Sequence, residues 1–225
     1  MAENQKIFLL VGASGSGKTS GMRNMPLEKT VLINTELKSM LPFRGHQRLK
    51  RHWVVNDVNK FMAGLELIEK DEDIEYCVLD SLSYLMNMYE LQKVKPATNG
   101  QKAWGDYGDF YRTLIMFIKN SKKNWVITCH PKEVFDEKAG EFRTSAAIKG
   151  SLSGLVEADF NVVIYTDIGT SEDGMPMYRY LVKKTKETLG KSVKSPFMMF
   201  DEAHTQSNDI MEVFEAIENY IKGDE

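Results

Sequence analysis

Short apolar runs alternate along the chain with segments in which apolar residues recur every three or four positions. The runs predict buried strands, and a turn with Gly174 and Pro176 joins the last two. These strands are Ile7–Val11, Thr30–Asn34, Trp53–Val55, Tyr76–Leu79, Trp125–Cys129, Phe160–Thr166 and Met177–Lys183. The periodic segments predict helices, and Asp57 can cap the second. These helices are Lys18–Asn24, 57–70, Ser81–Gln92, 104–118 and Asp209–Lys222.

The order of these elements predicts an α/β fold. Apolar strands that alternate with helices are typical of a mainly parallel sheet covered by helices on both faces. The late strand pair predicts an antiparallel edge, and Lys93–Lys102 predicts a loop. Pro131–Lys149 is polar and contains glycine, so it predicts a loop or a hairpin. We expect one domain over residues 1–225.

Composition narrows the classes of function. The net charge is −3 over 225 residues, which excludes a generally basic nucleic-acid binder and leaves only local basic patches. Cys77 and Cys129 lie in apolar runs, so we expect buried, reduced thiols. Neither a signal peptide nor a membrane span is visible, so we expect a cytoplasmic protein, in the host cytoplasm if it is phage-encoded.

The segment after the first strand fits the phosphate-binding pattern G-x-x-x-x-G-K-[ST], between a predicted strand and a predicted helix. Its glycines let the backbone wrap closely round phosphate, and the helix N-terminus adds positive partial charge. We expect Lys18 to reach the β- and γ-phosphates and the Thr19 hydroxyl to bind Mg²⁺. The predicted ATP-binding residues are Gly12, Ala13, Ser14, Gly15, Ser16, Gly17, Lys18, Thr19 and Ser20.

A carboxylate follows the buried strand Tyr76–Leu79. We interpret Asp80 as the second Mg²⁺ ligand, and capping of the helix from Ser81 is the alternative, which can hold as well. Hydrolysis also needs a group that activates water. Ser81 occupies the position directly after Asp80, so that group must come from elsewhere, and Glu36 follows a strand expected close to the phosphate loop.

Several segments resemble RecA-type recombinases, and the chain from about Ile7 to Phe200 resembles the small phage-type RecA-like ATPases, some of which are single-strand annealing recombinases. The segments that carry the resemblance are Val31–Glu36, Leu79–Ser81, Val126–His130, Trp104–Tyr107 and Lys194–Phe197. The resemblance implies a Mg²⁺-dependent ATPase with Glu36 as catalytic base. It also implies that His130 senses the γ-phosphate, although RecA proteins usually have Gln there; a surface histidine is the alternative.

The resemblance further implies a homo-oligomer that acts on single-stranded DNA in phage recombination or replication. One of Lys183, Lys184 and Lys186 would reach the ATP of a neighbouring subunit, and a solvated charge run is the alternative. Two loops would contact DNA through lysines and aromatic residues: Lys93, Lys95, Lys102, Lys132, Phe135, Lys138, Phe142, Arg143 and Lys149. Acidic residues in the second loop oppose that role, and mobile solvated loops are the alternative.

Other interpretations stay open at this stage. Arg44, His46, Arg48, Lys50, Arg51 and His52 form a basic run that is either a DNA-binding patch or a solvated edge. Trp104, Tyr107 and Tyr111 share a helix face that we expect in the core. A small-molecule kinase needs several arginines in a lid, and Pro131–Lys149 contains only Arg143. A nucleotide-gated scaffold for a protein partner, without DNA activity, is the other rival.

Overall fold

The computed structural model describes residues 4, 6–137, 140–200 and 205–223. Eight strands form one sheet in the order β10-β9-β8-β1-β5-β4-β2-β3, and β6 and β7 form a separate two-stranded sheet. The strands are β1 Ile7–Val11, β2 Thr30–Asn34, β3 Arg51–Val54, β4 Tyr76–Asp80, β5 Asn124–Cys129, β6 Pro131–Asp136, β7 Glu141–Ala146, β8 Val162–Thr170, β9 Pro176–Leu181 and β10 Thr205–Ser207.

Most of the large sheet is parallel. β1 lies between β5 and β8, and β4 lies between β5 and β2, with parallel pairing throughout. β9 pairs antiparallel with both β8 and β10, which forms the antiparallel edge. The predicted α/β fold class, a mainly parallel sheet with an antiparallel edge, is confirmed. That residues 1–225 form a single domain stays a prediction.

Successive side chains of a strand point to opposite faces of the sheet, so an apolar strand makes both faces apolar. Helices cover both of these faces. They are α1 Phe61–Lys70, α2 Leu82–Tyr89, α3 Gly100–Asn120 and α4 Ile210–Lys222. Leu9 faces a core built with α1, α2 and α3. Phe8 and Leu10 face a second core, to which α4 contributes Phe214. In the described part of the chain, no helix is both long and apolar enough to cross a membrane.

Several element predictions needed correction. The segment predicted as the helix Lys18–Asn24 is a 3₁₀ turn over Ser20–Asn24, because Pro26 follows too closely for a longer α-helix. The predicted loop Lys93–Lys102 is shorter than expected, because α3 already begins at Gly100. Asn99 caps this helix by accepting a hydrogen bond from the Lys102 amide. Tyr107 and Tyr111 are buried as predicted. Trp104 is 39% exposed, so its placement in the core was wrong.

Candidate active site

The phosphate-loop segment leaves β1 between β5 and β8. Gly15 and Gly17 have φ angles of +76° and +97°, which favour glycine. At Gly12 the reason is close packing, because a Cβ atom would lie 1.9 Å from Thr166 Oγ1. The Ser16 and Thr166 hydroxyls are 2.6 Å apart and join the loop to β8. Two different constraints therefore require glycine in this loop.

Lys18 is folded against its own loop. Its Nζ donates hydrogen bonds to the Gly12 and Ala13 carbonyls at 2.6 and 2.8 Å, and its side chain is buried. Burial lowers the pKa of Lys18, and the negative charges of Asp80 and Glu36 oppose that shift. The ammonium group therefore stands among two carboxylates and the loop carbonyls.

Asp80 connects three neighbouring segments at the carboxyl end of the sheet. Its Oδ2 accepts a hydrogen bond from the Thr19 hydroxyl, and its Oδ1 accepts one from the Thr128 hydroxyl, both at 2.7 Å. The helix-capping alternative is not what the geometry shows, because Ser81 is the N-cap residue of α2 and both Asp80 oxygens accept hydrogen bonds from threonines. The Thr35 hydroxyl hydrogen-bonds both the amide and the carbonyl of Ser81.

The donor set suits Mg²⁺. A carboxylate and a hydroxyl in contact are hard oxygen ligands, and Mg²⁺ usually keeps water and substrate phosphates as its remaining ligands. Among the described residues, no three His, Cys, Asp or Glu side chains cluster as a metal site. Thr19 and Asp80 therefore fit a metal ion that arrives with a phosphorylated ligand, rather than one in an all-protein cage.

Glu36 lies just beyond β2, and its side chain is 3% exposed. Its Oε1 is 2.7 Å from His130 Nε2, and its Oε2 is paired with the Lys38 ammonium. Burial alone would raise the pKa of Glu36. The hydrogen bonds from His130 and Lys38 outweigh that effect and lower the pKa to about 2. The Tyr84 ring packs edge-on to His130 with ring centres 5.5 Å apart.

A pocket of about 760 Å³ opens over the phosphate-loop segment. Its floor carries Lys18 and Thr19, and Lys38 lies at its wall. The rest of the wall is largely apolar or amphipathic, and comes from two distant parts of the chain: Met40, Pro42, Pro176, Met177 and Tyr178. The pocket can therefore take a molecule with a polyanionic end and a flat, less polar end.

Comparison with known proteins agrees with this geometry. A family model described as an AAA domain matches residues 4–197. The chain belongs to this family. A KaiC-like protein from the hyperthermophilic archaeon Pyrococcus horikoshii OT3 is 17% identical over 80% of this chain and 79% of its own, with a TM-score of 0.48. No curated protein matches. The chain is thus a member of a P-loop ATPase family.

Sequence reasoning missed several residues of this site. Asn208 Nδ2 donates to the Gly17 carbonyl at 3.0 Å, and Arg23 donates to Asn208 Oδ1 at 3.3 Å. Asn208 and Gly17 are 191 positions apart, so no local pattern could connect them. Thr128 is a polar residue near the end of an apolar strand, which was an available signal. For Lys38, two positions after Glu36, the sequence offered no such signal.

The other predicted residues of the AAA domain lie outside this cluster. Lys183, Lys184 and Lys186 follow the end of β9, and Lys184 and Lys186 are exposed. β6 and β7 pair as antiparallel strands, on which Phe135 and Phe142 are exposed with ring centres 5.1 Å apart. Two of the predicted DNA-contacting lysines are paired, Lys102 with Asp106 and Lys149 with Glu90. Lys138 lies outside the described residues.

Both cysteines have the predicted surroundings. Cys77 and Cys129 are buried free thiols, and Cys129 Sγ lies 2.9 Å from the Ser83 hydroxyl. Burial raises the pKa of the Cys129 thiol to about 11. These thiols are protonated at neutral pH and are therefore poor nucleophiles and metal ligands.

Proposed function

We propose that this chain binds ATP in the 760 Å³ pocket and hydrolyses it with Mg²⁺. One observation carries the proposal: Thr19 of the phosphate loop and Asp80 at the end of β4 share a 2.7 Å hydrogen bond. They are 61 positions apart in sequence. A P-loop hydroxyl and a strand-end carboxylate in contact form the two protein ligands that a Mg²⁺–nucleotide complex needs.

Each residue then has a role that its position supports. The backbone amides of 12–20 surround the phosphates, and Lys18 moves from the loop carbonyls to the β- and γ-phosphates. Thr19 and Asp80 would hold Mg²⁺, which neutralises phosphate charge when bound. Glu36 accepts a proton from the attacking water, and His130, its hydrogen-bond partner, senses the γ-phosphate.

The base and ribose of the nucleotide occupy the less polar half of the pocket. Met40 and Pro42 form one side, and Met177 and Tyr178 form the other. Apolar and aromatic side chains of this kind bind the faces of a nucleobase without selecting it by hydrogen bonds. We therefore expect the choice between ATP and other nucleotides to depend on residues at the rim.

The partner of this ATPase is single-stranded DNA, and the setting is phage recombination or replication. The exposed aromatic pair Phe135 and Phe142 supports that proposal, because such rings can stack on unpaired bases. Lys132 precedes the pair on the same hairpin and can contact phosphate. Oligomers would let Lys183, Lys184 or Lys186 reach the ATP of a neighbour. The alternatives are a nucleotide-gated protein scaffold and a small-molecule kinase.

The experiment is steady-state phosphate release from ATP, with and without single-stranded DNA, over a salt series. DNA stimulation that fades as salt rises supports the DNA-dependent ATPase. Turnover that ignores DNA moves the proposal to the protein scaffold, and turnover that requires a second small substrate favours the kinase. Lys18→Ala should abolish turnover, whereas Lys29→Ala, at an exposed pair with Glu75, should leave it unchanged.

A further inference from the structure

Lys38 belongs to two sites at once. Its ammonium group pairs with Glu36 Oε2, and its side chain, 46% exposed, also lines the nucleotide pocket together with Lys18 and Thr19. The Glu36 carboxylate, which is the partner of Lys38 in this pair, is almost completely buried. Lys38 therefore has Glu36 as its partner on one side and the open pocket on the other. The pocket is the proposed site of the nucleotide phosphates.

The backbone between the two partners is in an unusual conformation. Leu37 has a φ angle of +59°, in the left-handed region that residues with a Cβ atom rarely adopt. This turn brings Lys38 back to Glu36 two positions earlier. Leu37 itself is exposed, so packing of its side chain does not hold the turn. The Lys38–Glu36 ion pair and a 2.7 Å hydrogen bond from Asn34 Nδ2 to the Lys38 carbonyl hold it instead.

The charges around Glu36 come from four elements. Lys38 and His130 touch its two oxygens, Lys18 and Asp80 act on the same cluster from the phosphate loop and β4, and Tyr84 of α2 packs on His130. The Lys38 side chain is 46% exposed, whereas Lys18 is buried and the His130 side chain is 20% exposed. It can therefore change partner without leaving a cation buried and unpaired.

We infer that Lys38 is a second phosphate-binding lysine, for which Glu36 and the terminal phosphate of the nucleotide compete. This inference rests on the proposed function. Without nucleotide, Lys38 holds Glu36, and a carboxylate whose two oxygens are engaged by Lys38 and His130 is a poor proton acceptor. A nucleoside triphosphate draws Lys38 to its terminal phosphate and leaves Glu36 with His130. A diphosphate lacks that group and leaves Lys38 in place.

The competition between Glu36 and the terminal phosphate for Lys38 can be measured from nucleotide binding, without hydrolysis. We would compare the affinities for ADP and for the β,γ-imido analogue of ATP, both with Mg²⁺, by isothermal titration calorimetry. Glu36→Gln removes the charge that holds Lys38, so the affinity for the analogue relative to ADP should rise about three- to tenfold. The double variant Glu36→Gln/Lys38→Met should lose that gain, and Glu36→Gln/Lys38→Arg should keep most of it.

The double variant separates competition from simple repulsion between Glu36 and phosphate. If the gain of Glu36→Gln persists when Lys38 is methionine, Lys38 does not reach the terminal phosphate and the inference is wrong. Lys29→Met, which removes an exposed lysine paired with Glu75, is the matched control and should leave both affinities unchanged. If the unsubstituted chain binds neither nucleotide, the proposed ATP site itself fails, which is a different result.

Discussion

Thr128 Oγ1 donates a 2.7 Å hydrogen bond to Asp80 Oδ1, and both side chains are buried. This contact turns the other oxygen of the carboxylate towards Thr19 on the phosphate loop. Because β5 lies between β1 and β4 in the sheet, its last residues stand between the loop and Asp80. The strand that separates the two predicted Mg²⁺ ligands therefore also orients one of them.

Thr128→Val should destabilise the protein and weaken the Mg²⁺–nucleotide complex. Valine has nearly the same shape, but it leaves a buried carboxylate oxygen without its donor, which costs about 1–3 kcal/mol. Urea unfolding measures the loss, and a Mg²⁺ titration of ATP turnover measures the effect on the site. Thr98→Val, at an exposed position, is the control. Unchanged unfolding of Thr128→Val would show that the hydrogen bond contributes little.

Glu36→Gln should retain ATP binding and lose turnover. The amide has the same shape but cannot accept a proton from water, and loss of a general base typically lowers kcat by about 10²–10⁴-fold. Single-turnover phosphate release gives kcat, and nucleotide titration shows that the site remains formed. Glu28→Gln, at an exposed residue that does not line the pocket, should turn over normally. Normal hydrolysis by Glu36→Gln would place the base elsewhere.

Gly12→Ala should disrupt the phosphate loop, because the added Cβ would lie 1.9 Å from Thr166 Oγ1 and 2.6 Å from Ser16 Oγ. Overpacking of this kind costs about 1–3 kcal/mol, and nucleotide affinity should fall with it. The same change at Gly105, in α3 with open space around it, should be neutral or stabilising by about 0.5–1 kcal/mol. Thermal unfolding of both variants, with and without ATP, tests the contrast.

The contacts of Glu36 with Lys38 and His130 should stabilise the protein at neutral pH, and this stabilisation should be lost in acid. Burial raises the pKa of Glu36, but the His130 and Lys38 contacts lower it from 4.5 to about 2. Because the pKa in the folded state is the lower one, this stabilisation is complete above about pH 4.5 and disappears as the pH falls towards 2.

The measurement is the difference in unfolding free energy between the unsubstituted protein and Glu36→Gln, at pH 6 and pH 3. The advantage of the unsubstituted protein should shrink at pH 3. Glu28→Gln is the control, because it shows how removal of an exposed carboxylate changes the unfolding free energy at the two pH values. An advantage of Glu36 that is the same at both pH values would contradict the lowered pKa.

The local pattern of the chain determined much of the fold. Apolar runs of about five residues identified most of the strands, because a strand buried on both faces has few polar positions. The phosphate loop was readable because its glycines, lysine and threonine are adjacent in sequence. Asp80 and Glu36 were predictable for a related reason: polar residues that directly follow buried strands lie at the same edge of a parallel sheet.

Only the tertiary structure decided how these residues contact one another. Asn208 supports Gly17 across 191 positions, Thr128 orients Asp80 across 48, and Met40 and Tyr178 line the same pocket. These contacts depend on the strand order and on the turn at Leu37, which sequence periodicity does not encode. The sequence predicted which groups would meet phosphate, and three-dimensional packing decided which neighbours hold those groups.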